Sequence, residues 1–179
     1  MLGRVLIIDD SKMDRFIVEK MVERSKLAEK IENRELATLG LSYIQNCLEQ
    51  EQDLPNVIFL DINMPEMSGF DFLDKFSNFP DHVKNDCSVV MLSSSLNEED
   101  HKKAMSYPSV KMYCSKPISL AKLEELNNIL IQEQEMSAAT EEQYDEFDFE
   151  EEDDDESDEG GDEDIETDDA SEESKNADE

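Results

Sequence analysis

Four short apolar runs, each closed by a polar or charged side chain, constrain this chain most. RVLII (4–8) runs into Asp9 and Asp10, VIFL (57–60) into Asp61, VVML (89–92) into Ser93, and VKMYC (110–114) is followed by Lys116-Pro117. Runs of four or five residues are too short for helices, and strands apolar on both faces are covered from both sides, as in parallel sheets. The intervening segments carry helical spacing. Ser11 can cap a helix to about Ser25 with Phe16, Ile17, Met21 and Val22 in its apolar stripe, and Thr38 to Gln50 places Leu41, Ile44, Cys47 and Leu48 on one face. After the loop Asn63–Gly69 a helix spans Phe70 to Phe76. Asn97 caps another through Met105, stopped by Pro108, and Ser119 caps the last, reaching about Glu135. A weaker strand, Lys30 to Arg34, brings the count to five strands and five helices, which predicts an α/β fold with a doubly wound parallel sheet.

Charge divides the chain. Of 179 residues with a formal net charge of −32, the stretch 141–179 holds 24 acids and a single base, Lys175. Such a stretch buries too little apolar surface to offset its ordering entropy and is expected to stay disordered. The expected organisation is a folded domain over 1–136 and an acidic low-complexity tail over 137–179. Direct nucleic-acid binding needs a basic face, which the composition denies. No apolar run approaches the roughly 18 residues of a membrane span, so membrane insertion is excluded and a cytoplasmic location expected. Cys47, Cys87 and Cys114 are odd in number and widely spaced, which suits buried apolar thiols better than disulfides or zinc.

In a parallel sheet the carboxyl ends of the strands share one edge, where open α/β sheets bind ligands. Asp9, Asp10, Asp61, Ser93 and Lys116 therefore converge there. Three neighbouring carboxylates repel, and a hard divalent cation such as Mg²⁺ relieves the repulsion. Lys116 and Ser93 suit phosphate oxygens. No glycine-rich nucleotide loop is present, so the set points to covalent phosphorylation, with Asp61 the natural acceptor.

The stretches VLIIDDS (5–11), VIFLDINMPEMSGF (57–70), VVMLSSS (89–95) and VKMYCSKPIS (110–119) resemble the receiver domain of two-component response regulators. The resemblance implies a flavodoxin-like strand order 2-1-3-4-5 and Asp61 as phosphoacceptor. It also implies Mg²⁺ held by Asp10, Asp61 and the Asn63 backbone carbonyl, with Asp9 acting directly or through water. Lys116 would pair with the acyl phosphate, Ser93 (where Thr is commoner) would be drawn toward it, and Tyr113 would be the switch aromatic. Asn63 and Ser95 would tune dephosphorylation, Pro65 and Gly69 would shape the acceptor loop, and the Lys116-Pro117 bond would be cis. The implied partners are a sensor histidine kinase or histidine phosphotransfer protein and a downstream protein target, with the chain monomeric or dimerising on phosphorylation. It would catalyse only its own phosphorylation and dephosphorylation.

No helix-turn-helix or enzymatic output domain follows residue 135, so the expected output is protein contact through the face formed by the helix from Asn97, the strand 110–114 and the helix from Ser119. Two rivals lie in other classes. One is a binding module indifferent to phosphorylation, working through the acidic tail. The other is a Mg²⁺-dependent phosphatase of the haloacid dehalogenase type, which needs a second Asp two residues after its nucleophile where this chain has Ser11. The tail itself reads as a solubilising extension, an arm for a basic partner, or a brake docking Tyr144, Phe147 and Phe149. His82 and His101 read as surface groups, in a loop and on a polar helix.

Overall fold

The computed structural model describes residues 2–95 and 97–145, with side chains to residue 136. In chain order the elements are β1 (Leu2–Ile8), α1 (Lys12–Ser25), β2 (Ala28–Arg34), α2 (Ala37–Glu49), β3 (Val57–Asp61), α3 (Gly69–Phe76), α4 (Asp81–Asp86), β4 (Ser88–Ser93), α5 (Glu98–Ala104), β5 (Val110–Ser115) and α6 (Leu120–Asp145). All strand pairs are parallel, in the order β2-β1-β3-β4-β5. The parallel sheet covered on both faces is what the alternation of runs predicts, and its strand order is the flavodoxin-like one that the resemblance implies.

Residue alternation splits the core into two layers. Leu6, Ile8, Ile58, Leu60, Val89 and Met91 face one way, toward Ile44 of α2 and Phe72, Leu73 and Phe76 of α3. Val5, Ile7, Val57, Phe59, Val90 and Leu92 face the other, toward Val18 and Val22 of α1 and Leu123, Leu126 and Leu130 of α6. Every residue of β3 and β4 is buried, because helices cover both sides of these strands. The three cysteines are buried without disulfides, and burial pushes the Cys87 thiol up to about 12 and that of Cys114 up to about 11.

Several expectations are corrected. Among the described residues there are six helices, not five, because DHVKND forms the short α4 around buried Val83. His82 therefore lies on a helix and not in a loop. β1 starts at Leu2 and β2 at Ala28, each two residues early, while α6 continues to Asp145, ten residues past its expected end. On α1 the buried positions are Val18 and Val22; Phe16, assigned to the apolar stripe, is 53% exposed with the Lys20 ammonium 5.6 Å above its ring. Residues 146–179, where Phe147, Phe149 and most of the acidic stretch fall, lie outside the described residues, and so does the side chain of Tyr144.

Candidate functional site

Register brings the site together. Ile8 of β1 pairs with Leu60 of β3, so the next residues, Asp9 and Asp61, emerge side by side at the carboxyl edge. Across β4 and β5, Ser93 pairs with Ser115, and the Lys116 N–H donates to the Ser93 carbonyl at 2.8 Å. Lys116 thus leaves β5 beside the end of β4, immediately before a cis Lys116-Pro117 bond. Carboxylate oxygens of Asp9, Asp10 and Asp61 lie within 4.8 Å of one another. Asp9 and Asp61 are buried and Asp10 is exposed.

The Lys116 ammonium sits among the carboxylates, 2.6 Å from Asp9 Oδ2, 2.6 Å from Asp61 Oδ1 and 3.1 Å from Asp14 Oδ2. Of these approaches only the one to Asp14 has hydrogen-bond geometry, so the contacts to Asp9 and Asp61 are ionic and Asp9 Oδ2 keeps no directed donor. Burial raises the carboxyl pKa of Asp61, with Lys116 opposing and the charges of Asp9 and Asp10 adding to the rise. Burial likewise raises that of Asp9, again against Lys116. For Lys116 burial favours the neutral amine, but the ion pairs with Asp61 and Asp9 together outweigh it and hold the ammonium above its usual range.

The walls are built from backbone. Asp9 Oδ1 accepts from the Ser11 N–H at 2.9 Å, and the Arg15 guanidinium donates to the Asp9 carbonyl. Ser11 caps α1 by accepting from the Asp14 N–H. Behind Asp61, the Gly69 N–H donates to the Ile62 carbonyl at 2.8 Å, and a Cβ at Gly69 would collide with the Asp61 carbonyl oxygen and lie 3.0 Å from Ile62 Cα. Both clashes are with backbone, so a side chain there could be admitted only by moving the acceptor strand's end.

The remaining candidates form a second group. The Ser93 hydroxyl donates to the Ser95 carbonyl and accepts from the Ser95 N–H at 3.1 Å. Tyr113, half-buried on β5, donates its hydroxyl to the same Ser95 carbonyl at 3.2 Å. One backbone oxygen therefore links a hydroxyl at the pocket to the ring on β5. His101 of α5 is exposed, as expected of a surface group, and packs edge-on against that ring, centroids 5.3 Å apart. Asn63 is exposed two residues after Asp61, and Ser95 is exposed on the loop after β4.

The donor set suits a hard cation. All the clustered atoms are oxygens, and among these residues the buried Asp9 Oδ2 accepts no hydrogen bond. Asp14 was not anticipated from the sequence; it sits on a polar helix face, and nothing in its spacing announces a lysine arriving from 102 residues away.

The sequence matches the family described as "Response regulator receiver domain" over residues 5–128. Response regulator Rcp1 of Synechocystis sp. is 29% identical over 97 residues, covering 54% of this chain and 65% of that protein. A protein-glutamate methylesterase/protein-glutamine glutaminase of Treponema denticola is 37% identical over 98 residues, 53% of this chain and 23% of the relative. The chain thus spans less than two thirds of the length of either. Among solved structures, a two-component response regulator from Cytophaga hutchinsonii is similar at a TM-score of 0.69 and 28% identity, covering 73% of this chain and 98% of the other. Among the described residues no helix is long and apolar enough to cross a membrane.

Proposed function

The chain belongs to the response regulator receiver domain family, and from that premise we propose that it carries a phosphoryl group on Asp61, received from a sensor histidine kinase or a histidine phosphotransfer protein. The observation that carries this reading is the cluster of Asp9, Asp10 and Asp61 oxygens with Lys116 2.6 Å from Asp61 Oδ1. Asp10, Asp61 and the Asn63 carbonyl, with Asp9, would hold Mg²⁺. When bound, the ion supplies positive charge against the oxygens of the incoming phosphoryl group.

An Asp61 carboxylate oxygen attacks phosphorus while the bond from phosphorus to the donor's imidazole nitrogen breaks, and the nitrogen keeps the electron pair. Lys116, held charged by its ion pairs, exchanges its contact with Asp61 for one with a phosphoryl oxygen. The Ser93 hydroxyl turns from the Ser95 carbonyl toward another. The Ser95 carbonyl is then left to Tyr113 alone, which ties the chemistry to the face of α5, β5 and α6. A ligand that interacts differently with two conformations shifts their populations by that difference. The output is a changed affinity for a downstream protein, or for a second copy of the chain, on that face. Residues 1–136 form the receiver unit and 137–179 an acidic extension, and Asn63 and Ser95 tune the rate at which the phosphate is lost. Ser11 in its capping role speaks against the phosphatase reading, which needs an acid there.

The test is Asp61→Asn exposed to acetyl phosphate and Mg²⁺. Loss of stoichiometric phosphate incorporation, read by intact mass, is expected. Undiminished incorporation would overturn the assignment.

A further inference from the structure

We propose that Asp14 is a positioning residue that restrains Lys116 and so slows phosphorylation of Asp61, an inference that rests on the reading of the site above. A lysine ammonium has three N–H donors and no acceptor. Lys116 meets three carboxylates, those of Asp9, Asp61 and Asp14. The ammonium is already engaged by three negative charges before any phosphoryl group arrives. For a phosphoryl oxygen to be met, one of these contacts has to be given up.

The three are not equivalent. Asp9 and Asp61 end buried strands, with side chains 0% and 4% exposed, and their contacts with the ammonium lack hydrogen-bond geometry. Asp14 comes from the first turn of α1, its side chain is 34% exposed, and it receives the one directed hydrogen bond that Lys116 makes to this cluster. Its backbone is fixed by the Ser11 cap. Asp14 thus orients the ammonium along an axis that the transfer does not use. Its charge also competes with the phosphoryl oxygens for the same donor. Being the partner in contact with water, it is also the one whose loss solvent compensates.

This competition acts on the transfer step more than on donor binding. With acetyl phosphate, the attack of an Asp61 oxygen on phosphorus forms the acyl phosphate and releases acetate with the electron pair of the broken bond. In that step Lys116 must follow the phosphoryl oxygens. Removing the competing charge should therefore raise the maximal rate constant, by about two- to five-fold, the range that a partly exposed ion pair gives. The half-saturating donor concentration should change less.

The experiment uses the full chain with acetyl phosphate and Mg²⁺, comparing wild type, Asp14→Asn and Asp14→Glu, with Asp61→Asn as control. The expected result is a higher maximal rate for Asp14→Asn, a gain that shrinks as salt is added, and a return toward the wild-type rate in Asp14→Glu. An unchanged or lower maximal rate in Asp14→Asn, or a gain that Asp14→Glu shares or salt leaves intact, would overturn it. If wild type itself took no phosphate, or Asp61→Asn took as much, the assignment of the site would fail and Asp14 with it. If those controls behave and Asp14→Asn matches wild type, the inference on Asp14 alone fails.

Discussion

Asp9 is fully buried, yet one of its oxygens has no directed donor. Its raised carboxyl pKa, caused first by burial, means that folding disfavours the ionised form despite Lys116. Near neutral pH, without a cation, this carboxylate therefore subtracts from stability. Asp9→Asn keeps the shape and removes the charge, so in the presence of a chelator the variant should melt above wild type. Added Mg²⁺ should raise the wild-type melting temperature more than the variant's, since a ligand stabilises the state that binds it. Thermal unfolding with chelator and with Mg²⁺ checks both, and a variant melting below wild type in chelator would refute the burial argument. At this scale the sequence was informative wherever a polar residue closed an apolar run. Asp9, Asp10, Asp61, Ser93 and Lys116 were all legible for that reason. Asp14 was not, because its role depends on where Lys116 points. The shared Ser95 acceptor was hidden too, since a backbone carbonyl leaves no mark on residue identity.

Among the elements, β3 and β4 were the most legible, being covered on both faces and apolar throughout. β2 is an edge strand without a fully buried residue, so AEKIENR carries little pattern. α4 hides for a related reason: in six residues it buries only Val83. α6 runs beyond its apolar periodicity into AATEEQYD, where residues that favour helix carry little apolar pattern to mark its end. The start of α3 matters most to the site, because this helix follows the acceptor loop and buries Phe70, Phe72, Leu73 and Phe76. Its capping box joins Ser68 and Asp71, the Ser68 hydroxyl accepting from the Asp71 N–H at 3.2 Å and Asp71 Oδ2 accepting from the Ser68 N–H at 3.0 Å. Ser68→Ala should cost about 1 kcal/mol of unfolding free energy, measured by urea titration at neutral pH. The bonds from the Ser68 side chain and then its backbone hold the Asp71 carboxyl below its ordinary pKa. A depressed folded-state pKa gives stability that is complete above the unfolded value and lost as pH falls through the folded one. The deficit of Ser68→Ala should therefore narrow in acid, and the Asp71 pKa, followed by NMR, should rise. A deficit independent of pH would separate Asp71 from the cap.

For the whole molecule, packing and charge are segregated along the chain. Among the described side chains the last buried one of α6 is Leu130, and an ion pair between Lys111 and Glu133 joins that helix to β5. Among the described side chains both core layers end before residue 136. The 43 residues that follow hold 24 of the 48 acids and one lysine, which leaves the receiver unit with 24 acids and 15 bases. Like charge confined to one end repels the acidic remainder and opposes the compact state over distances that salt shortens. A chain ending at residue 136 should thus unfold as cooperatively as the full chain and at a higher temperature in low salt. The gap should close toward ~1 M salt, where the screening length falls to about 3 Å. Phosphorylation of Asp61 by acetyl phosphate should persist in the shortened chain, because every residue of the pocket lies between Asp9 and Lys116. A shortened chain that melts lower at every salt concentration would mean that residues beyond 136 contribute packing to the fold, and would move the boundary of the receiver unit toward the end of α6.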